Sequence, residues 1–346
     1  MPRLRTLLVA LVVSAALVSC SQQPTNYYLH DVSNTSEDLI RLFELLDEET
    51  EQDRRVPLVE QIAGRLGSAV PDARVVNFLT DQVSEEDPHS GYYLLLAGRV
   101  YEESGAPHTA AVYYRRALED YPDISIRGSS VHYRAIGRLL DLSEAPEHRA
   151  AYLAELLDRF PDQIDPGSTY YRLGQALEAS GRWEEAFAAY TSMLRYPDTV
   201  IIGDPNAYQI TRQRVAFYNS DKSWTREDLD ALIRDITYAI RTRNPRLLES
   251  LHAEVNFFGR SWEQDEFDVN ATFQIPIGQY LLRDRIIRYA GDVHPRSNNR
   301  EAYLWTANWA FRPNVWYLYF RRIHFPADPE IHGRWEWAGI LFGDLL

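Results

Sequence analysis

GYYLLLAGRVYEESGAPHTAAVYYRRALEDYP, residues 91–122, is the stretch on which the fold turns. Its skeleton is Leu94-x2-Ala97-Gly98-x2-Tyr101, then Gly105, then Ala110-x3-Tyr114-x2-Ala117, closed by Pro122. Residues three and four apart share one face of a helix. The stretch therefore predicts two amphipathic helices, with Gly105 at the turn between them. Pro122 ends the second helix because proline lacks an amide donor and clashes with the preceding turn. Small residues let the helices approach, and the leucine and tyrosines fill the seam.

The pattern recurs. Tyr170-x2-Leu173-Gly174-x2-Leu177, Gly181, Ala186-x3-Tyr190-x2-Met193 and Pro197 form a second full match. Between them Tyr133-x2-Ile136-Gly137-x2-Leu140, with Leu153, Leu156 and Pro161, forms a degenerate one. From signature glycine to terminating proline the interval is 24, 24 and 23 residues. These positions resemble the tetratricopeptide repeat at nearly every signature site. The best repeats are 91–124, 130–163 and 167–200.

Upstream, Leu39, Ile40, Leu42, Phe43 and Leu46 keep a helical period behind the cap-like Thr35 and Asp38. Val59, Ile62, Ala63 and Leu66, then Val75, Val76, Leu79 and Val83, continue it, as a capping helix pair or a decayed repeat. At least three stacked units are needed to bury a continuous core. The helical region is thus expected over 35–200. The family resemblance implies a protein-binding groove lined by the first helix of each repeat. In that register the groove residues are Tyr92, Leu95, Arg99, Arg134, Arg138, Tyr171 and Gln175, with Glu102, Asp141 and Glu178 beside them. The family's basic clamp for C-terminal carboxylates needs Lys and Asn, and neither stands there.

The N-terminus carries an address. Arg3 and Arg5 precede an apolar run over 7–18 that ends at Leu17-Val18-Ser19-Cys20. A spanning helix needs about 20 apolar residues, so the run is too short to cross a bilayer. The tetrad resembles the lipobox of bacterial lipoproteins, which implies cleavage after residue 19 and acylation of Cys20. Residues 1–19 would be the signal peptide and 20–34 a polar lipidated tether. Two or more acyl chains hold a protein on a membrane stably. The resemblance implies a site in the bacterial envelope, on the outer membrane and facing the periplasm. With repeats behind the anchor, the architecture resembles the lipoprotein subunit of the outer-membrane β-barrel assembly machinery.

Composition is that of a folded globular chain, 45% hydrophobic and 25% charged. Cys20 is the sole cysteine, so no disulfide is available. The net charge of −14 is uneven: residues 1–220 carry −12 and residues 221–346 carry −2. An acidic chain with one lysine, Lys222, is a poor partner for nucleic acid, which demands phosphate neutralisation. Overall charge does not favour anionic lipid either. Seven of the eight tryptophans lie beyond residue 220. Both asymmetries place a linker at 201–223 and a second domain at 224–346.

In that second domain Thr225 and Asp228 are spaced as a capping box. Leu229, Leu232, Ile233, Ile236 and Ile240 then form a helical stripe that stops at Asn244-Pro245. A short turn of helix follows at 246–251. Beyond it the period becomes two: Tyr303, Trp305, Ala307 and Trp309 alternate, Arg312-Pro313-Asn314 turn, and 315–323 returns antiparallel with Trp316, Leu318 and Phe320 on one face. Residues 334–342 supply another strand, and 255–260, 269–275 and 281–289 are weaker candidates. The expected fold is a tetratricopeptide helical array followed by an α+β domain, a helix packed on a curved antiparallel sheet. That arrangement resembles the nuclear-transport-factor-like cone, which implies a small-molecule pocket between helix and sheet.

Signature motifs for phosphate loops, serine hydrolases and zinc proteases are absent from the sequence. The histidines are scattered without ligand spacing, and Glu263, Asp265, Glu266 and Asp268 lack the glycine and spacing of a calcium loop. His294, His324 and Asp292 are a polar set that a cleft could gather. No cofactor is expected. The function these features imply is a membrane-anchored scaffold binding protein partners in envelope assembly or transport, without catalysis. The alternative is a lipoprotein that holds a small molecule in its C-terminal domain.

Overall fold

A computed structural model describes residues 27–29, 37–68, 71–262, 275–283 and 285–343. Cys20, the signal segment, Thr35, most of the candidate strand 269–275 and the acidic cluster at 263–268 lie outside the described residues. The chain divides into two compact units, residues 1–144 and 145–346, a boundary inside the degenerate repeat.

The first unit is a stack of helices: α1 (Glu37–Glu48), α2 (Gln52–Gly67), α3 (Asp72–Asp81), α4 (Ser90–Glu103), α5 (Pro107–Glu119) and α6 (Val131–Leu142). A two-residue hairpin, β1 (Ser125–Ile126) and β2 (Ser129–Ser130), joins the last pair. On α1 the helical period buries Leu39, Leu42, Phe43 and Leu46, whereas Ile40, read as part of that stripe, is 41% exposed. Arg55 on α2 donates to the carbonyls of Leu46 (2.8 Å) and Glu49 (2.9 Å), satisfying acceptors that the end of α1 leaves open. Part of the expected tether is ordered. Tyr27–Leu29 forms a 3₁₀ turn, because Tyr28 gains contact with the rings of Phe43 and Phe78 and a hydrogen bond to Asp81.

The second unit continues with α7 (Pro146–Arg159), α8 (Pro166–Ala179), α9 (Trp183–Met193) and α10 (Ala207–Asn219). The segment 201–223, read from sequence as a linker, therefore contains a helix, and Tyr218 of α10 stacks on Phe187 of α9 at 4.1 Å. α11 (Leu229–Arg241), α12 (Pro245–Glu249) and α13 (Ile277–Leu281) accompany a five-stranded sheet. Its strands are β3 (Phe258–Ser261), β4 (Arg288–Tyr289), β5 (Glu301–Ala307), β6 (Val315–Arg322) and β7 (Trp335–Phe342), in the order β3-β7-β6-β5-β4.

The structure of this region corrects the sequence reading in three places. It is mixed, because β3 runs parallel to β7, from Phe258 opposite Gly339 to Ser261 opposite Phe342. Only the tip of 281–289 is strand, since residues 277–281 close a helical turn first. Asp228, not Thr225, caps α11: its carboxylate accepts from Ala231 N at 3.1 Å, while Thr225 is buried and donates to the Lys222 carbonyl.

The core lies between α11 and one sheet face. Leu232, Ile236 and Ile240 meet Leu304, Trp316, Leu318, Phe320, Trp337 and Ile340. On β5 the core side is Ala302, Leu304 and Thr306; Tyr303 and Trp305 face away, opposite Tyr319 and Tyr317. Trp309 lies past the strand and stacks on Trp316 at 5.2 Å. The space between helix and sheet, where the cone resemblance implies a ligand pocket, is filled by these side chains.

Candidate functional site

Two structural units repeat with the same spacing. At Gly98 a Cβ would come within 2.6 Å of Tyr114 Cε1, and at Gly174 it would collide with Tyr190 in the same way. Glycine is needed so that the α4–α5 and α8–α9 pairs can close onto a buried ring. Gly105 and Gly181 adopt φ of +78° and +76° at the inter-helix turns, a left-handed helix end that glycine adopts without strain. Each ring then points its hydroxyl at a carboxylate. Tyr114 Oη donates to Glu102 and Tyr190 Oη to Glu178, both at 2.7 Å and both twelve residues apart. An arginine 36 residues after each glutamate closes the set. Arg138 Nε donates to Glu102 Oε2 at 3.1 Å, with a second bond from Nη2, and Arg214 Nη2 reaches both Glu178 oxygens at 2.7 Å. Burial pushes the Tyr114 hydroxyl up to about 12, and burial together with the bond to Glu178 raises that of Tyr190.

Arg138 stands on α6 and Arg214 on α10, each the next first-helix position in its own unit. α10 therefore continues the array past residue 200. The degenerate copy lacks this set: Leu153 is buried where a tyrosine would stand, and a Cβ on Gly137 would meet open space.

This geometry redistributes the residues assigned to a groove. Leu95 is 1% exposed and belongs to the core. Tyr92 is 4% exposed, hydrogen-bonded to Glu60, with the Arg134 guanidinium 5.6 Å from its ring centre. The family register places both on the groove surface; here Tyr92 is held by Glu60 of α2 and by Arg134 of α6. Arg138 and Glu102 bond each other, Glu178 bonds Arg214, and Asp141 adds a 3.0 Å bond to Arg138. Tyr171 donates to Asp204 at 3.2 Å. Arg99 and Gln175 remain exposed, Arg99 in a 3.1 Å pair with Glu103. His294 and His324 are drawn into local contacts: the ring of His294 meets Tyr317 and that of His324 meets His332.

Among the described residues, two recesses combine apolar and charged lining. In the first unit α2, α3 and α4 enclose a groove of about 430 Å³. Its floor is Ala63, Gly64, Val75, Leu79, Leu96 and Val100, and its rim is Glu60, Asp72, Arg99 and Glu103. A Cβ at Gly64 would meet nothing within 4 Å, so that glycine opens onto free space. In the second unit a cleft of about 570 Å³ lies between α8–α10 and the end of β6. Trp183, Phe187, Phe217 and Phe325 line it, with Arg214, Arg321, Arg322 and Glu336. Two of these charges are neutralised where they stand. Arg321 Nε donates to the buried Glu336 at 2.6 Å, and Trp224 Nε1 donates to the other Glu336 oxygen at 2.8 Å.

Arg214 and Phe325 escape a reading of the sequence. For Arg214 a signal is present in the recurring Glu-to-Arg interval. Phe325 has none, because its neighbours Phe187 and Phe217 are remote in sequence. The tetratricopeptide repeat family matches residues 92–123 and 168–199. A comparison of the whole chain with characterised proteins finds no match.

Proposed function

We propose that this chain is a protein-binding adaptor of the bacterial cell envelope, anchored through an acylated Cys20, and that it performs no catalysis. The tetratricopeptide matches suggest protein partners. The observation that carries the reading to residues is the α2–α4 groove, an apolar floor with a charged rim that stays open while the neighbouring charges are spent on packing. Apolar floor and polar rim are the anatomy of a recognition surface. Support for the anchor is the lipobox-like tetrad and the short apolar run before it. Among the described residues no helix is long and apolar enough to cross a membrane. The partner is a protein of envelope assembly or transport.

The test compares wild-type chain with Gly64→Trp and Arg99→Glu in pull-downs from detergent-solubilised envelope. Both variants are expected to lose the same co-purifying protein. An identical set of partners in all three samples would sink the groove. Separately, Cys20→Ser is expected to abolish acylation and release the chain from the membrane fraction, and unchanged acylation would refute the anchor.

A second reading has its own observation. The α8–α10/β6 cleft has the volume and aromatic lining of a small-molecule site. Melting of the full chain against sugars, lipids and metabolites tests it. A stabilising ligand should lose its effect in Trp183→Ala.

A further inference from the structure

Against a net charge of −14, the described residues of one surface of the second unit have the opposite sign. The end of α11, the loop before β4 and the β5–β6 turn gather Arg243, Arg283, Arg285, Arg288 and Arg312. Contacts join these segments. Arg243 Nη2 donates to the Arg285 carbonyl at 3.4 Å, and the Arg285 guanidinium lies 3.7 Å from the Phe311 ring centre. Asn308 Nδ2 donates to the Ile286 carbonyl at 3.1 Å, and Arg288 stands opposite Ala307 in the β4–β5 pair. Among the described residues none of the five arginines is ion-paired, although elsewhere Arg138, Arg214, Arg226 and Arg321 all are.

Large apolar side chains stand out of the same surface. Leu282 is 69% exposed, Ile286 77% and Phe311 87%. A single exposed apolar residue needs no explanation, but a cluster marks a contact surface. Two surfaces accept guanidinium and protruding apolar groups together: a bilayer with anionic headgroups, and an acidic protein. The manner of exposure favours the bilayer. These side chains project rather than line a recess, and a bilayer offers an anionic layer outside and a deformable apolar one beneath.

We propose that this surface docks on an anionic bilayer. The guanidiniums meet lipid phosphates, and Phe311, Ile286 and Leu282 enter the boundary between headgroup and acyl chain. The proposal stands on these residues and does not require Cys20 to be acylated.

The test uses the full chain as Cys20→Ser/Phe311→Cys, labelled with an environment-sensitive fluorophore, and a matching Cys20→Ser/Ile202→Cys chain as reference. Both are mixed with vesicles of phosphatidylcholine alone or with phosphatidylglycerol added. The label at 311 is expected to report an apolar environment on the anionic vesicles only, and the reference label at 202 to report water. Arg283→Glu and Arg288→Glu are each expected to weaken anionic-vesicle binding about fivefold, and high salt to abolish the difference between vesicles. Circular dichroism checks that the variants stay folded, and Ile286→Ser gives a second, uncharged disruption. An unchanged label at 311, or equal responses to neutral and anionic vesicles, would overturn the proposal. So would a label at 311 that responds to an acidic protein but to neither vesicle, which would identify the surface as a protein contact.

Discussion

At the scale of single residues, three glycines in helices have different fates. Gly98 and Gly174 sit under tyrosine rings, and Gly64 opens onto a groove. Gly98→Ala and Gly174→Ala should each destabilise by about 1–3 kcal/mol, the cost of overpacking a closed seam. Gly64→Ala should instead stabilise by about 0.5–1 kcal/mol, because alanine loses less backbone freedom in a helix. Urea denaturation of the three variants checks the contrast, and equal effects would contradict it. The tyrosines add a pH dependence. Burial raises the Tyr114 hydroxyl from 10.0 to about 12 and raises those of Tyr93, Tyr190 and Tyr319 as well. The folded chain therefore keeps protons that the unfolded chain releases near pH 10. Stability present below that point is lost as pH rises, for Tyr114 between about 10 and 12, at about 1.4 kcal/mol per pH unit. Denaturation midpoints should fall over that range, and a flat profile would mean these hydroxyls ionise in the native state.

At the scale of elements, the tyrosine–glutamate–arginine set ties α4 to α6 and α8 to α10. A double-mutant cycle on Glu178 and Arg214 should give a coupling of about 1–2 kcal/mol, within the range for contacting residues in one network. The exposed Arg99–Glu103 pair should give about 0.3–0.5 kcal/mol, as surface helix pairs do. Equal couplings would mean the set does no more than a surface pair. The same geometry bears on how binding should be probed. Arg138→Glu would set like charges against Glu102, so a lost partner would report damaged packing rather than a removed contact. Legibility in the sequence tracks locality. The helix pairs, their turns and the small-over-large seam are written in spacings under 30 residues, and the structure matches them. The partner of a charge is not local. Register places Glu102, Arg138 and Glu178 on the first helices without showing that they face one another. The parallel β3–β7 pair joins residues far apart, and no local alternation encodes it. The aromatic stretch at 27–29 reads as tether because its packing partners, Phe43 and Phe78, lie on other elements.

At the scale of the molecule, the segregation of charge in sequence has a counterpart on the surface. An acidic first part and an exposed arginine cluster in the second unit coexist on one chain whose pI is about 5.1. Near that pH self-repulsion vanishes and the arginine surface of one copy attracts the acidic helices of another. Light scattering should therefore rise near pH 5.1 and fall with added salt, and Arg283→Glu should weaken the rise. Scattering insensitive to salt would point to apolar association instead.

The interval of 36 residues from glutamate to arginine also gives the array a grammar. A repeat with this glutamate is incomplete in itself, because the cation that neutralises its carboxylate belongs to the neighbouring helix on its C-terminal side. The heritable module is then a helix pair plus the opening helix of its successor. A duplication, splice or graft that kept every helix length but omitted that arginine would leave a half-buried carboxylate with its tyrosine hydroxyl and no counter-charge. Such chains would be selected against even though their repeat signatures read as perfect.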